Sequence, residues 1–85
     1  MRYDLQVQTP GGSIFPIAGD YQTRYDDWEA ADLQAATLSK LEALPIRVWG
    51  GHVKPIRKQD EAFSVVLVNV PTWSVWGVYA DGRSL

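Results

Sequence analysis

The chain has 85 residues, of which 46% are hydrophobic and 21% are charged, with a formal net charge of −2 and no cysteine. This length suits one domain, residues 1–85, and the composition argues against an intrinsically disordered protein. Without cysteine, disulfides, thiolate metal sites and a cysteine nucleophile are excluded. Small secreted domains usually depend on disulfides, so their absence favours a cytoplasmic protein.

Targeting and membrane segments are not visible in the sequence. The N-terminus alternates polar and apolar residues and lacks the apolar core of a signal peptide. The longest apolar run, residues 65–68, is far shorter than the roughly 20 residues of a membrane helix. We therefore expect no membrane contact.

Alternating side chains predict a strand at the N-terminus, because successive side chains of a strand point to opposite faces. The set expected to be buried is Tyr3, Leu5, Val7 and Thr9. The set expected to face solvent is Arg2, Asp4, Gln6 and Gln8. A turn at residues 10–13 leads into a second strand at 14–17, with Pro16 at its edge or end, and a polar loop spans 19–25.

A helix is predicted from Asp27 to Leu44. Asp26 would be its N-cap, Glu29 would complete a capping box, and Pro45 would end it. At 100° per residue, one apolar arc would face the core: Ala30, Ala31, Leu33, Leu38, Leu41 and Leu44. The opposite arc would be solvated: Glu29, Asp32, Ser39 and Lys40.

The second half of the chain predicts strands. The first is 46–49, which ends at Gly50-Gly51. The second, 52–58, either continues that strand or is an extended loop. The last two are 62–70 and 74–80. Segment 62–70 has apolar residues on both faces, which is typical of a central strand. A turn at Asp81-Gly82 and a loose tail, 83–85, would follow. The predicted fold is α+β: a small antiparallel sheet of four to five strands with one amphipathic helix on one face, in the order ββαβββ.

Enzyme chemistry has few candidate residues in this chain. His52 is the single histidine, and a metal site needs three or four ligands. The glycine pairs 11–12 and 50–51 do not form a phosphate-binding motif, and no G-x-S-x-G segment is present. We expect no enzyme activity, no cofactor, no metal and an exposed loop position for His52.

Acidic residues gather around the predicted helix start. They are Asp20, Asp26, Asp27, Glu29 and Asp32, within a first half of the chain (residues 1–46) whose net charge is −4. Capping and a solvated helix face would explain them. The alternative is an acidic docking patch that attracts a basic partner, such as a protein that normally grips nucleic acid.

A basic segment follows at residues 47–58, with four cations and no acid. Its candidate binding residues are Arg47, Trp49, His52, Lys54, Arg57 and Lys58. Cations with stacking rings suit single-stranded nucleic acid, although the sequence pI near 5.1 is unusual for such a binder. The alternative is a solvated sheet edge whose lysines discourage aggregation.

Four tryptophans are many for a chain of this size. We expect at least two of them in the core, because small domains bury large aromatic side chains. Trp73 and Trp76 are three apart and would point to opposite faces of an extended chain, so at least one should be partly exposed. An exposed tryptophan is a natural interface hot spot.

These features predict a non-catalytic module that binds a protein through Asp20, Asp26, Asp27, Glu29, Asp32, Trp73 and Trp76. In size and general character, though in no motif, the chain resembles the small accessory inhibitors of phages and mobile elements, including anti-CRISPR proteins. That resemblance implies an inhibitor that docks on a protein target. The alternatives are a single-stranded nucleic-acid-binding protein that uses segment 47–58, and a structural subunit that self-associates through a sheet edge.

Overall fold

The predicted α+β class is confirmed by the computed structural model, which describes residues 1–81 and the backbone of residues 83 and 84. In chain order the elements are β1 (Tyr3–Gln8), β2 (Ile14–Pro16), β3 (Arg24–Tyr25), α1 (Trp28–Ser39), β4 (Ala43–Arg47), β5 (Val53–Arg57), β6 (Ser64–Asn69), β7 (Ser74–Ala80) and β8 (Arg83–Ser84). A short 3-10 turn, Trp49–Gly51, joins β4 to β5.

The main sheet is antiparallel and has the order β2-β1-β6-β7-β8, and β3 also pairs with β1. Strand β6 is central, as predicted, and its side chains are buried on both faces: Val65 and Leu67 in the main core, Val66 and Val68 on the other face. Within the predicted polar loop, β3 was missed because two residues are too few for a periodic pattern.

Strands β4 and β5 form a separate antiparallel hairpin. Pro45 and Pro55 face each other in it, a pairing that suits residues without a backbone N–H. Ile17 bridges Ile46, and the Ala18 backbone N–H donates to the Pro45 carbonyl at 2.8 Å, which ties the hairpin to the main sheet. The predictions of a helix through residue 44 and of a strand at 46–49 are therefore wrong in their bounds.

The helix begins one residue later and ends five residues earlier than predicted. Asp27, not Asp26, is the N-cap, and its side chain accepts from the Ala30 backbone N–H at 3.0 Å. Pairing of Tyr25 with Tyr3 keeps the chain extended up to residue 25, which delays the helix start. No helix among the described residues is long and apolar enough to cross a membrane.

The buried stripe of α1 also differs from the prediction. It consists of Ala31, Ala35, Leu38 and Ser39, whereas Leu33 is 71% exposed. Leu44 is buried as predicted, but from a strand. Leucines at positions 38, 41 and 44 have the spacing of a helix, although α1 ends at Ser39 and Leu44 belongs to β4. This spacing led to the wrong helix end.

The first and last strands of the chain, β1 and β8, bear on the remaining strand predictions. The expected face of β1 is buried, but Asp4 on the opposite face is buried too, and its Oδ1 lies 3.3 Å from Arg2 Nε. Residues 83 and 84 pair with β7, so the prediction of a loose tail is wrong there. Gly82 of the predicted turn and Leu85 lie outside the described residues.

Candidate protein-docking surface

The turn between β6 and β7 presents Trp73 to solvent. Its indole side chain is 64% exposed. Its backbone has φ +55°, in the left-handed region that bulky side chains rarely adopt. The turn therefore holds a large apolar side chain outside the core, in an unusual backbone conformation.

A chain of side-chain hydrogen bonds crosses this turn. Trp76 Nε1 donates to Ser74 Oγ at 3.0 Å, and Ser74 Oγ lies 2.6 Å from Thr72 Oγ1. Thr72 Oγ1 in turn donates to Asn69 Oδ1 at 3.3 Å. Because Thr72 has only one hydroxyl hydrogen, Ser74 supplies the hydrogen between them. The donors all run towards Asn69, so the turn conformation is fixed from within.

Trp76 is held beside this turn by a β-bulge. Leu67 of β6 pairs with Gly77 of β7, while Val68 pairs with Val75, so Trp76 is the extra residue. Its ring contacts the ring of Tyr3, with centroids 5.7 Å apart and planes inclined at 56°. The indole is still 51% exposed, and it is therefore oriented without being buried.

Tyr3 connects this aromatic turn to the acidic helix start. Its ring contacts Trp76, and its backbone pairs with Tyr25, which immediately precedes Asp26. Asp26, Asp27 and Glu29 are exposed, and Trp28 between them is 43% exposed. We refer to Trp73, Trp76, Asp26, Asp27, Trp28 and Glu29 together as the docking end. In the part of the chain that is described, none of its carboxylates forms an ion pair.

The other two predicted acidic residues stand apart from the docking end. Asp20 is exposed and lies in the loop before β3, outside the helix start. Asp32 accepts a hydrogen bond from the Tyr79 hydroxyl, so it holds α1 to β7. Burial, together with that bond and the carboxylate charge, raises the pKa of Tyr79 above its ordinary value. Asp32 thus has a structural role inside the domain.

The basic segment does not form one cationic face. Cross-strand partners share a face, so Arg47, opposite Val53, and Arg57, opposite Ala43, lie on one side of the hairpin. Lys54 is opposite Ile46 and lies on the other side. The edge strand β5 also carries Pro55, which, with Lys54, discourages pairing with another chain.

Lys58 is turned into the domain. Its side chain is 16% exposed, and Nζ lies 2.6 Å from Asp81 Oδ1 and 5.2 Å from the centre of the Phe63 ring. Nζ also donates to the Ser39 carbonyl at the end of α1, where a cation complements the helix dipole. This lysine is therefore unavailable to a polyanion.

The hairpin tip carries Trp49, the most exposed tryptophan at 92%. The Val48 backbone N–H donates to the His52 carbonyl at 2.8 Å and closes the loop. Gly50 and Gly51 both have positive φ, so glycine is needed to complete so tight a reversal. His52 is exposed beside them, as predicted.

All four tryptophans are exposed by 43% or more, so the expectation of at least two in the core is wrong. Aliphatic side chains fill the core instead: Leu5, Leu38, Leu44, Ile46 and Leu67 are the largest that are fully buried. The sequence prediction missed the roles of Tyr3, Thr72 and Ser74. The hydroxyl residues that flank Trp73 are the available signal, because they form hydrogen bonds within turns.

Two clefts and the potential metal ligands are the remaining candidate features of the described residues. Those residues contain no group of three or more potential metal ligands. An open cleft of about 500 Å³ is lined by Lys58 and Asp81, which are paired with each other. A second cleft, of about 230 Å³, is lined by charges of both signs: Lys54, Arg57, Asp60 and Glu61.

Comparison with known proteins gives no relative. No protein-family model matches the chain, and neither a curated protein nor a solved structure matches it. Function must therefore be inferred from the surface alone.

Proposed function

We propose that this domain is a non-catalytic protein-binding module that docks through its docking end on a basic surface of a partner. One observation carries the proposal: Trp73, in a turn that its own hydrogen bonds fix, and Trp76, beside that turn, are both exposed. Exposed tryptophans dominate the energetics of many interfaces. A fixed turn lowers the entropy lost when a partner binds.

The carboxylates at the helix start support a cationic partner. Asp26 and Glu29 are exposed and have no ion pair among the described side chains, so their charge is open to a partner. The exposed indole of Trp76, whose N–H is already bonded, can receive an arginine or lysine by a cation–π contact. Carboxylates at the rim would raise the association rate and favour basic partners.

The finer proposal is an inhibitor of the kind carried by phages and mobile elements, similar to anti-CRISPR proteins and acting in the cytoplasm. A protein surface that is basic because it binds nucleic acid is complementary to the docking end. Covering that surface would block the nucleic acid without any catalytic step. A nucleic-acid-binding protein is therefore the partner class to test first.

An affinity capture with two matched double variants tests the proposal. The docking-end variant combines Asp26→Lys and Glu29→Lys, and the control combines Lys54→Glu and Arg57→Glu on the hairpin. Nuclease-treated lysate is passed over each, and retained proteins are identified by mass spectrometry. We expect a partner that the wild type and the control retain and the docking-end variant loses. Loss by the control alone would contradict the proposal.

Single-stranded nucleic-acid binding is the second candidate, and the exposure of Trp49 beside Arg47 and His52 favours it. Two observations weaken it: Lys58 is paired inside the domain, and Arg57 and Lys54 lie on opposite faces of the hairpin. Titration of a labelled single-stranded oligonucleotide at two salt concentrations decides between the candidates. Affinity that falls steeply with salt and is lost in Trp49→Ala would favour nucleic acid.

A further inference from the structure

Trp73, in the turn between β6 and β7, differs from the other residues of the docking end. We propose that Trp73 is the anchor of the docking end and enters an apolar pocket in the basic surface of the protein partner. This inference rests on the proposed function. It goes further by naming the residue that contributes most affinity and the kind of cavity that receives it.

Trp73 adopts a conformation that its side chain disfavours. Among the described non-glycine residues, only Trp73 and Asp81 have positive φ, +55° and +54°. Aspartate tolerates this region because its short polar side chain bonds locally, but a bulky side chain there is an outlier. Elsewhere the chain uses glycine at positive φ, at positions such as 50 and 51. The tryptophan at position 73 therefore has a conformational cost that glycine would not have.

The folded domain does not recover this cost through packing. Trp73 is 64% exposed, so most of its surface remains in water. The end of β6 that leads into this turn contains a second local cost, because Asn69 is fully buried and its Nδ2 has no hydrogen-bond partner within the described structure. Strain and an unsatisfied buried group gather at functional sites more often than elsewhere. Both costs are consistent with a turn shaped for a complex.

The two indoles of the turn also differ in their N–H groups. Trp76 Nε1 donates to Ser74 Oγ, so that indole is fixed within its own chain. No described hydrogen bond involves the Trp73 indole N–H, which therefore remains available to an acceptor. A buried indole usually donates its N–H. The pocket that receives Trp73 should thus be apolar with a hydrogen-bond acceptor at its base.

Stability measurements on the free chain test the strain. Trp73→Gly should have an unfolding equilibrium constant about two- to tenfold smaller than Trp73→Ala, since alanine keeps the left-handed cost, which outweighs the extra entropy that glycine gives the unfolded chain. At Trp49, which is exposed but has no positive φ, the order should reverse by about two- to fivefold, because glycine increases the entropy of the unfolded chain. Equal stability of the two Trp73 variants would overturn the inference.

Binding measurements then test the anchor. The probe is the purified protein that the wild-type chain retains in the capture experiment, titrated against Trp73→Gly, Trp73→Phe and Trp49→Gly. We expect roughly 30-fold or greater loss for Trp73→Gly, a smaller loss for Trp73→Phe, and none for Trp49→Gly. Unchanged affinity of Trp73→Gly would overturn the anchor and leave the proposed function standing. If the wild type retains no protein at all, both fail together.

Discussion

Tyr79 of β7 donates a hydrogen bond to Asp32 of α1, and this bond joins the last long strand to the helix. The acceptor is a carboxylate, so the bond is charge-assisted. We predict that Tyr79→Phe lowers the free energy of unfolding by about 1.5–3 kcal/mol. Urea denaturation checks this, with Tyr21→Phe, an exposed position, as a control expected to change stability by less than about 0.5 kcal/mol. Equal effects of the two variants would contradict the assigned role.

The same pair predicts how stability depends on alkaline pH. The pKa of Tyr79 is raised in the folded chain, first by burial and then by Asp32, whereas in the unfolded chain it is near the ordinary value of about 10. The Tyr79 contribution is therefore fully present below pH 10 and is lost as pH rises above it. Urea midpoints between pH 8 and 11 should fall less steeply for Tyr79→Phe than for the wild type. Parallel curves would exclude this linkage.

Gly77 provides the space that Tyr79 needs to reach the helix. A Cβ at position 77 would lie 2.9 Å from Tyr79 Cε1 and 3.1 Å from its hydroxyl oxygen. Gly77→Ala should therefore cost about 1–3 kcal/mol of stability, as overpacking does. Gly11→Ala is the matched control, because a Cβ there meets nothing within 4 Å. Thermal unfolding of both variants gives the comparison, and a neutral Gly77→Ala would contradict the contact.

Two adjacent aspartates at the helix start should respond differently to substitution. Asp27 caps α1 through the Ala30 backbone N–H, whereas Asp26 has no such contact. We predict that Asp27→Ala lowers stability by about 1 kcal/mol and that Asp26→Ala changes it by less than about 0.5 kcal/mol. Chemical denaturation tests the pair. If Asp26 is the more costly position, the helix start is misplaced.

Two lysines of the basic segment should differ in their effect on stability, because Lys58 is bonded within the domain and Lys54 is exposed. Lys58→Met should lower stability by about 1–3 kcal/mol, because Asp81 and the Ser39 carbonyl lose a charged donor. Lys54→Met, on the exposed edge strand, should be close to neutral. Denaturant midpoints of the two variants give the test. If Lys58→Met leaves stability unchanged, Lys58 does not stabilise the fold and its charge is available to a polyanion.

Strong local periodicity made much of the fold predictable. The alternation around Leu5 and the apolar run at 65–68 gave β1 and the central β6, since period-2 patterns identify strands directly. The helix end was not predictable from pattern, because Leu44 continues the helical spacing of Leu38 although it belongs to a strand. There, long-range pairing with β5 overrides the local preference.

The sequence predicted which residues form the candidate site better than it predicted how they are arranged. Exposure of Trp73 or Trp76 followed from their spacing, and the acidic residues stood out by number. The link through Tyr3 could not be inferred, because it depends on the register of β1 with both β3 and β6. Lys58 appeared to be a surface charge since no local pattern reveals that residues 39 and 81 lie beside it.

The exposure of all four indoles changes what intrinsic fluorescence can report. Indole emission follows the polarity around the ring, and in this domain each ring already meets water in the native state. Unfolding should therefore shift the emission maximum little, and far-ultraviolet circular dichroism is the better reporter of folding. A blue shift would instead mark the transfer of an indole into a dry environment supplied by another molecule. The native chain thus contains its own label for complex formation.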